Sequence, residues 1–98
     1  FYAIDDKNNI VGHVSLCLRG EFCGRTGYAS LLLVRDDYRG QGIGRDLLMR
    51  LRAQAELSFV SVIETLCLPT SPARGLITRL GYKLVVPSDR HWELRLRS

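Results

Sequence analysis

The sequence predicts an α/β fold, a sheet of mixed direction carrying two helices in the order ββ–β–α–β–α–ββ. Three observations carry this. Runs rich in β-branched and aromatic residues recur between clusters of turn residues. An apolar run ending in Leu32-Leu33-Val34 feeds a glycine-rich loop and then an amphipathic helix. A second, short helical stretch lies between Pro72 and Gly81.

The first segment reads as a hairpin. Phe1 to Ile4 is β-rich, and Asp5-Asp6-Lys7-Asn8-Asn9 is turn chemistry, because Asp and Asn bond their own backbone. Ile10 to Arg19 returns with Val11, Val14, Leu16 and Leu18, and Gly12-His13 breaks the alternation, which suggests a bulge. Gly20 to Gly27 reads as a loop. Tyr28 to Val34 follows as a strand whose continuous apolar end fits burial on both faces.

A helix takes over at about Gly42. Ile43, Leu47, Leu48, Leu51 and Ala55 share one face, and Asp46 and Arg50 sit four apart on another, in the favourable order for an ion pair. Phe59 to Leu68 reads as a strand. Ser71 is a good N-cap and Pro72 a good first residue for a helix that turns Leu76, Ile77 and Leu80 inward and stops at Gly81. Tyr82 to Val86 is a strand, Pro87 to Arg90 turns, and His91 to Arg97 alternates as a last strand. That last strand looks like a free edge that could pair across a homodimer.

With 98 residues, 46% of them apolar and 24% charged, the chain predicts one domain over residues 1–98. A chain of this size can bury roughly 65% of its surface, enough for a core without staples. No apolar run approaches the roughly 18–20 residues of a membrane span, so no membrane is expected. Cys17, Cys23 and Cys67 have neither metal-ligand nor redox spacing, and no metal is expected. Their odd number, without a secretion signal at Phe1 to Asp5, suggests reduced thiols in a cytoplasm, acting as small buried apolar residues. The net charge of +4 is carried almost wholly by arginine, which suits bidentate capture of phosphate or carboxylate. Without an arginine run or interleaved aromatics, nucleic acid is not the expected partner.

The informative segment is Leu32-Leu33-Val34, five polar residues, then Gly40-Gln41-Gly42-Ile43-Gly44-Arg45. A first helical turn leaves several backbone N–H groups unpaired at the positive pole of the helix dipole. Glycines remove the Cβ atoms that would hold a phosphate away. A strand entering such a turn is a phosphate cradle. It is not a Walker loop, since no lysine follows the glycines. It is not a dinucleotide fingerprint either: from Gly40 the last position is Arg45, and from Gly42 it is Leu47.

Arg39-x-x-Gly42-x-Gly44 after Leu32-Leu33-Val34 resembles the GNAT superfamily of N-acyltransferases, whose pyrophosphate loop reads R/Q-x-x-G-x-G/A. Leu80-Gly81-Tyr82, closing the second helix, and the strand around Trp92 also resemble that family, so the likeness spans nearly the whole chain. It implies a mostly antiparallel sheet with a central parallel pair that splays apart around acetyl-CoA. The backbone of Leu32, Leu33 and Val34 would bond the pantetheine arm. Arg39, Gly40, Gln41, Gly42, Ile43, Gly44 and Arg45 would hold the pyrophosphate. The family's cofactor-binding asparagine falls at Thr70, or at Ser71 with a one-residue slip. The resemblance starts at the family's second strand, so the expectation is a chain without the usual first strand and two helices, which shape the acceptor pocket.

The implied reaction is acetyl transfer from acetyl-CoA to a primary amine, on a small molecule or a protein. Glu64, on the second splayed strand, is the candidate general base; its strand parity with Val60, Val62 and Leu66 suggests apolar neighbours that raise its pKa. An exposed or arginine-paired glutamate is the plainer reading. Glu21, in the glycine loop, could approach an acceptor. Tyr38 reads as packing, and His13 and His91 as structural. Members of the family that protonate the thiolate with a tyrosine carry it where this chain has Ile77. A non-catalytic, acetyl-CoA-binding regulator of a partner protein is therefore the alternative.

Overall fold

The structure is a computed structural model, and it describes residues 1–20 and 25–96, with the side chain of Leu31 excepted. Among the described residues, six strands form one sheet: β1 (Tyr2–Ile4), β2 (Ile10–Arg19), β3 (Arg25–Val34), β4 (Val60–Leu66), β5 (Lys83–Leu84) and β6 (His91–Arg95). Their spatial order is β1-β2-β3-β4-β6-β5. Every pairing is antiparallel except β3 with β4, which is parallel and joined through α1 (Ile43–Leu57). The mixed sheet with a central parallel pair and two helices, the second being α2 (Arg74–Arg79), is the fold expected from the sequence.

Most elements shift by a few residues from expectation. β3 begins at Arg25 because pairing with β2 and β4 recruits residues that read as loop. α2 begins two residues late. Ser71 Oγ accepts from the Ala73 N–H at 3.2 Å and closes a turn, so Ala73 rather than Ser71 is the N-cap. Its C-terminus is as expected: Tyr82 N–H bonds Ile77 O and Gly81 N–H bonds Thr78 O, with Gly81 at φ +97°. That is the Schellman pattern a glycine permits. Asp46 lies 3.8 Å from Arg45 instead of pairing with Arg50.

β6 is not an edge. It runs between β4 and β5, so the argument for a dimer through that strand loses its footing. The short β5 covers its outer side, with Lys83 opposite Glu93 and Leu84 opposite Trp92.

One cluster forms the core, joining Val14, Ala29, Ile63 and Trp92 from the sheet to Leu51 of α1 and Ile77 of α2. Both helices therefore cover the same face. Trp92 donates its indole N–H to Cys67 O at 3.2 Å, tying β6 to the end of β4. The opposite face carries alternating polar side chains: His13 and Ser15 on β2, Tyr28 on β3, Glu64 on β4 and Glu93 on β6. Cys67 is buried as expected, but Cys17 is exposed on β2; both are free thiols, and Cys23 lies outside the described residues.

Two bulges shape the centre. Between the pairs His13–Leu33 and Ser15–Ser30, Leu31 and Leu32 together oppose Val14. Between Arg25–Val60 and Thr26–Val62, Ser61 is extra on β4. A bulge bends its strand and re-aims the residues beyond it. The one expected near Gly12-His13 appears as an extra Val11 opposite β1.

Candidate active site

The parallel ladder of β3 and β4 ends at Ala29–Thr65. β3 runs on to Val34 with β2 as its sheet partner, while the chain after Leu66 turns away through Pro69 and Pro72. The strands thus open into a V just after the vertex, and the Leu31–Leu32 bulge lies on its β3 arm. Thr65 Oγ1 donates to Ala29 O at 2.9 Å across the vertex.

A cavity of about 310 Å³ fills the V. Tyr28, Ser30 and Leu66 line it from the helix-free face, and Ala29, Thr65 and Cys67 from the core face. Residues of both sheet faces therefore meet at the V. It shares Leu32, Ser71 and Ala73 with a groove of about 530 Å³ that continues to the start of α1.

That end of the groove is built by backbone. A 3-10 turn (Asp36–Tyr38) follows β3, and the chain reaches α1 through Gly40 at φ +81° and Gly42 at φ +83°. Gly42 is the N-cap, in the left-handed region that disfavours other residues. Asp46 N–H bonds Gly42 O at 3.0 Å, so the N–H groups of Ile43, Gly44 and Arg45 have no acceptor inside the helix. A Cβ at Gly40 or Gly42 would meet no protein atom within 4 Å, so it would occupy groove space. A Cβ at Gly44 would sit 3.1 Å from Leu76 Cδ2 and 3.7 Å from Val34 Cγ2. The first turn of α1, the end of β3 and α2 thus meet closely, and Leu76 would have to give by a few tenths of an ångström to admit a Cβ.

Of the residues read from the sequence, Leu32, Leu33 and Val34 line the groove on one side and Arg39, Gly40, Gly42, Ile43 and Gly44 on the other. Gln41 and Arg45 are exposed and outside the lining. Thr70 is exposed and lines neither cavity; Ser71 lines both. Arg39 is tied down, its Nη2 3.1 Å from Asp36 Oδ1 and its Nε donating to Val34 O at 3.4 Å. Tyr38, read from the sequence as packing, and Arg79 are among the further residues that line the groove. Tyr38 donates its hydroxyl to Asp5 Oδ2 at 3.0 Å, tying the loop to the β1–β2 turn. Arg79 enters from the last turn of α2. Neither has a local sequence signal beyond the adjacency of Tyr38 to Arg39 and of Arg79 to Leu80-Gly81.

Glu64 pairs with Tyr28 on one side and Glu93 on the other, at the helix-free face beside the V. Its expected parity with Val60 fails, because the extra Ser61 turns Val60 into the core. Val62 and Leu66 remain on its face. Its side chain is 35% exposed, and its carboxylate lies 3.6 Å from His91 Nε2, so it has polar as well as apolar neighbours. Ile77 is buried and presents hydrocarbon to the V. Glu21 lies outside the described residues. Among the described residues no group of acids, cysteines and histidines could hold a metal, and no helix is long and apolar enough to cross a membrane.

A family model described as an acetyltransferase (GNAT) domain matches residues 1–84. The chain belongs to the GNAT acetyltransferase family. Among solved structures it is similar to a GNAT family acetyltransferase from Staphylococcus aureus, at 20% identity and TM-score 0.85, covering 98% of this chain and 66% of that one. It is similar to a GNAT family N-acetyltransferase from Escherichia coli in complex with CoA, at 22% identity and TM-score 0.76, covering 97% and 57%. The NatC complex bound to Gag peptide and CoA contains a chain similar at 21% identity and TM-score 0.82, covering 97% and 69%. At these identities the likeness is one of fold, and the chain spans roughly three-fifths to two-thirds of these relatives. No curated protein sequence matches it.

Proposed function

We propose that this chain transfers an acetyl group from acetyl-CoA to a primary amine. The observation that carries the proposal is the pair of adjoining cavities, sharing Leu32, Ser71 and Ala73, that run from the first turn of α1 to the V between β3 and β4. One end suits a diphosphate, through the N–H groups of Ile43, Gly44 and Arg45 and a loop without Cβ atoms at Gly40 and Gly42. The middle suits a pantetheine arm, because the β3 edge from Ser30 to Val34 has no partner on β4 and can pair with amides. The donor set therefore fits acetyl-CoA, which supplies an activated thioester.

The acceptor enters from the helix-free face, where Glu64 stands beside the V. Glu64 takes a proton from the amine onto its carboxylate as the N–C bond forms and the C–S bond breaks. His91 Nε2 lies 3.6 Å from Glu64 Oε1, beside that carboxylate. Backbone N–H groups of the β3 arm polarise the carbonyl oxygen. Ile77 holds no proton for the departing sulfur, which leaves as a thiolate; a thiol pKa near 8.5 makes that tolerable. The thiols of Cys17 and Cys67 suit a reducing cytoplasm.

Ile77 also supports a second reading, in which the chain binds acetyl-CoA and regulates a partner without turnover. Calorimetric titration with acetyl-CoA, then a thiol-release screen over small amines and peptides, separates the two. One-site binding is expected, with turnover that falls about 100-fold or more in Glu64→Gln at unchanged acetyl-CoA affinity. Binding without turnover on any amine leaves the regulator. A folded chain that binds no acetyl-CoA overturns both.

A further inference from the structure

Two arginines line the groove, and they differ in commitment. Arg39 is held by Asp36 and by the carbonyl of Val34. Arg79 makes no hydrogen bond or ion pair among the described residues, although it sits in a chain whose other groove cation is paired. Its Nη1 lies 3.5 Å from where a Cβ of Gly75 would be. The side chain is therefore folded back along α2, as helical geometry directs long side chains. Gly75 leaves the room for it. Folding back carries the guanidinium toward the level of Leu76, the residue that packs against Gly44 at the first turn of α1. An uncommitted guanidinium thus faces the same groove as the unpaired N–H groups of Ile43 and Gly44.

We infer that Arg79 is a phosphate-binding residue of this groove, supplying the positive charge that no ion pair among the described residues already engages. The inference rests on the acyl-CoA reading of the groove. CoA offers two anionic groups in reach of this end, its diphosphate and its 3′-phosphate. Both present the oxygen geometry that an arginine fork matches in a bidentate way. A first helical turn contributes only partial charge, so a full cation on the facing helix completes the neutralisation. Burial of the ligand's phosphate against α2 also gives Arg79 a partner it lacks in the chain itself.

The test is calorimetric titration of CoA and of 3′-dephospho-CoA into the wild-type chain, Arg79→Gln and Arg79→Lys, with a thermal melt of each. Arg79→Gln is expected to keep its melting temperature within a few degrees, since no hydrogen bond or ion pair among the described residues is lost. It is expected to bind CoA about tenfold or more weakly, the effect of one charged hydrogen-bonded contact. Arg79→Lys, which keeps the charge without the fork, is expected to recover part of that loss. If 3′-dephospho-CoA binds both chains alike, the contact is with the 3′-phosphate; if it weakens as CoA does, the contact is with the diphosphate. A folded Arg79→Gln chain that binds CoA within twofold of wild type overturns the inference and leaves the acyl-CoA reading standing. A wild-type chain that binds no CoA overturns both.

Discussion

The hydroxyl of Thr65 donates to the carbonyl oxygen of Ala29 at 2.9 Å, on the last rung that β3 and β4 share. The bond closes the vertex of the V with a side chain where the backbone ladder stops. It marks the boundary between the packed half of the sheet and the open half that holds the site.

Thr65→Val keeps the shape and removes the donor. The Ala29 carbonyl then loses a partner at a half-buried position, at a cost of about 1–2 kcal/mol. Urea unfolding should register that loss, and acetyl-CoA should bind more weakly because the arms of the V are less well held. Unchanged stability would mean that water replaces the hydroxyl.

Gly42 and Gly44 serve different ends, and their variants should differ accordingly. Gly42→Ala forces a Cβ into a left-handed residue, costing about 1–2 kcal/mol, and points it into groove space. Gly44→Val drives a branched side chain into Leu76 and Val34, costing about 1–3 kcal/mol and pushing α2 off the first turn of α1. Both should lose CoA affinity by calorimetry. In Gly42→Ala the loss comes from a filled groove in a nearly intact fold, so its melt should shift less than that of Gly44→Val.

The Asp5 carboxyl is held below the ordinary carboxylate range, first by the backbone N–H of Asn9 and then by the hydroxyl of Tyr38. The same bond raises the Tyr38 phenol above its usual value. A depressed acid stabilises the fold above its unfolded pKa, and that contribution disappears as pH falls through the folded value. Tyr38→Phe should move the Asp5 titration partway back up, because the Asn9 and Lys7 N–H groups remain. Carboxyl NMR titration of the two chains checks this. An unmoved Asp5 would show that the Tyr38 bond is absent in solution.

Tyr82 is buried, its hydroxyl has no hydrogen-bond partner among the described residues, and burial pushes its pKa up to about 12 against an opposing effect of Arg52. The folded state therefore keeps a proton that the unfolded chain releases near pH 10. Stability from this group is full below pH 10 and falls by roughly 2–3 kcal/mol between pH 10 and 12. Tyr82→Phe removes an unsatisfied hydroxyl, so it should match or exceed wild-type stability at pH 7 and lose less between pH 10 and 12. Denaturant melts across that range decide the point; parallel curves for the two chains would place the alkaline loss elsewhere.

The strand–loop–helix from Leu32 to Gly44 was legible in the residues because its causes are local. A left-handed Gly42, unpaired first-turn N–H groups and a stripe from Leu47 to Ala55 follow from short-range dihedrals and helical period. The same holds for the stop at Gly81. Packing between distant segments decided the rest. Only the sheet order puts His91–Arg95 inside rather than at an edge. Only the extra Ser61 separates Glu64 from Val60, and a bulge leaves no period to read. Only the meeting of α2 with α1 brings Arg79 to the groove and makes Ser71 rather than Thr70 line it. Bonds between neighbours in sequence are written in the sequence itself. The direction in which a strand or a side chain faces depends on which remote surface it finally packs against.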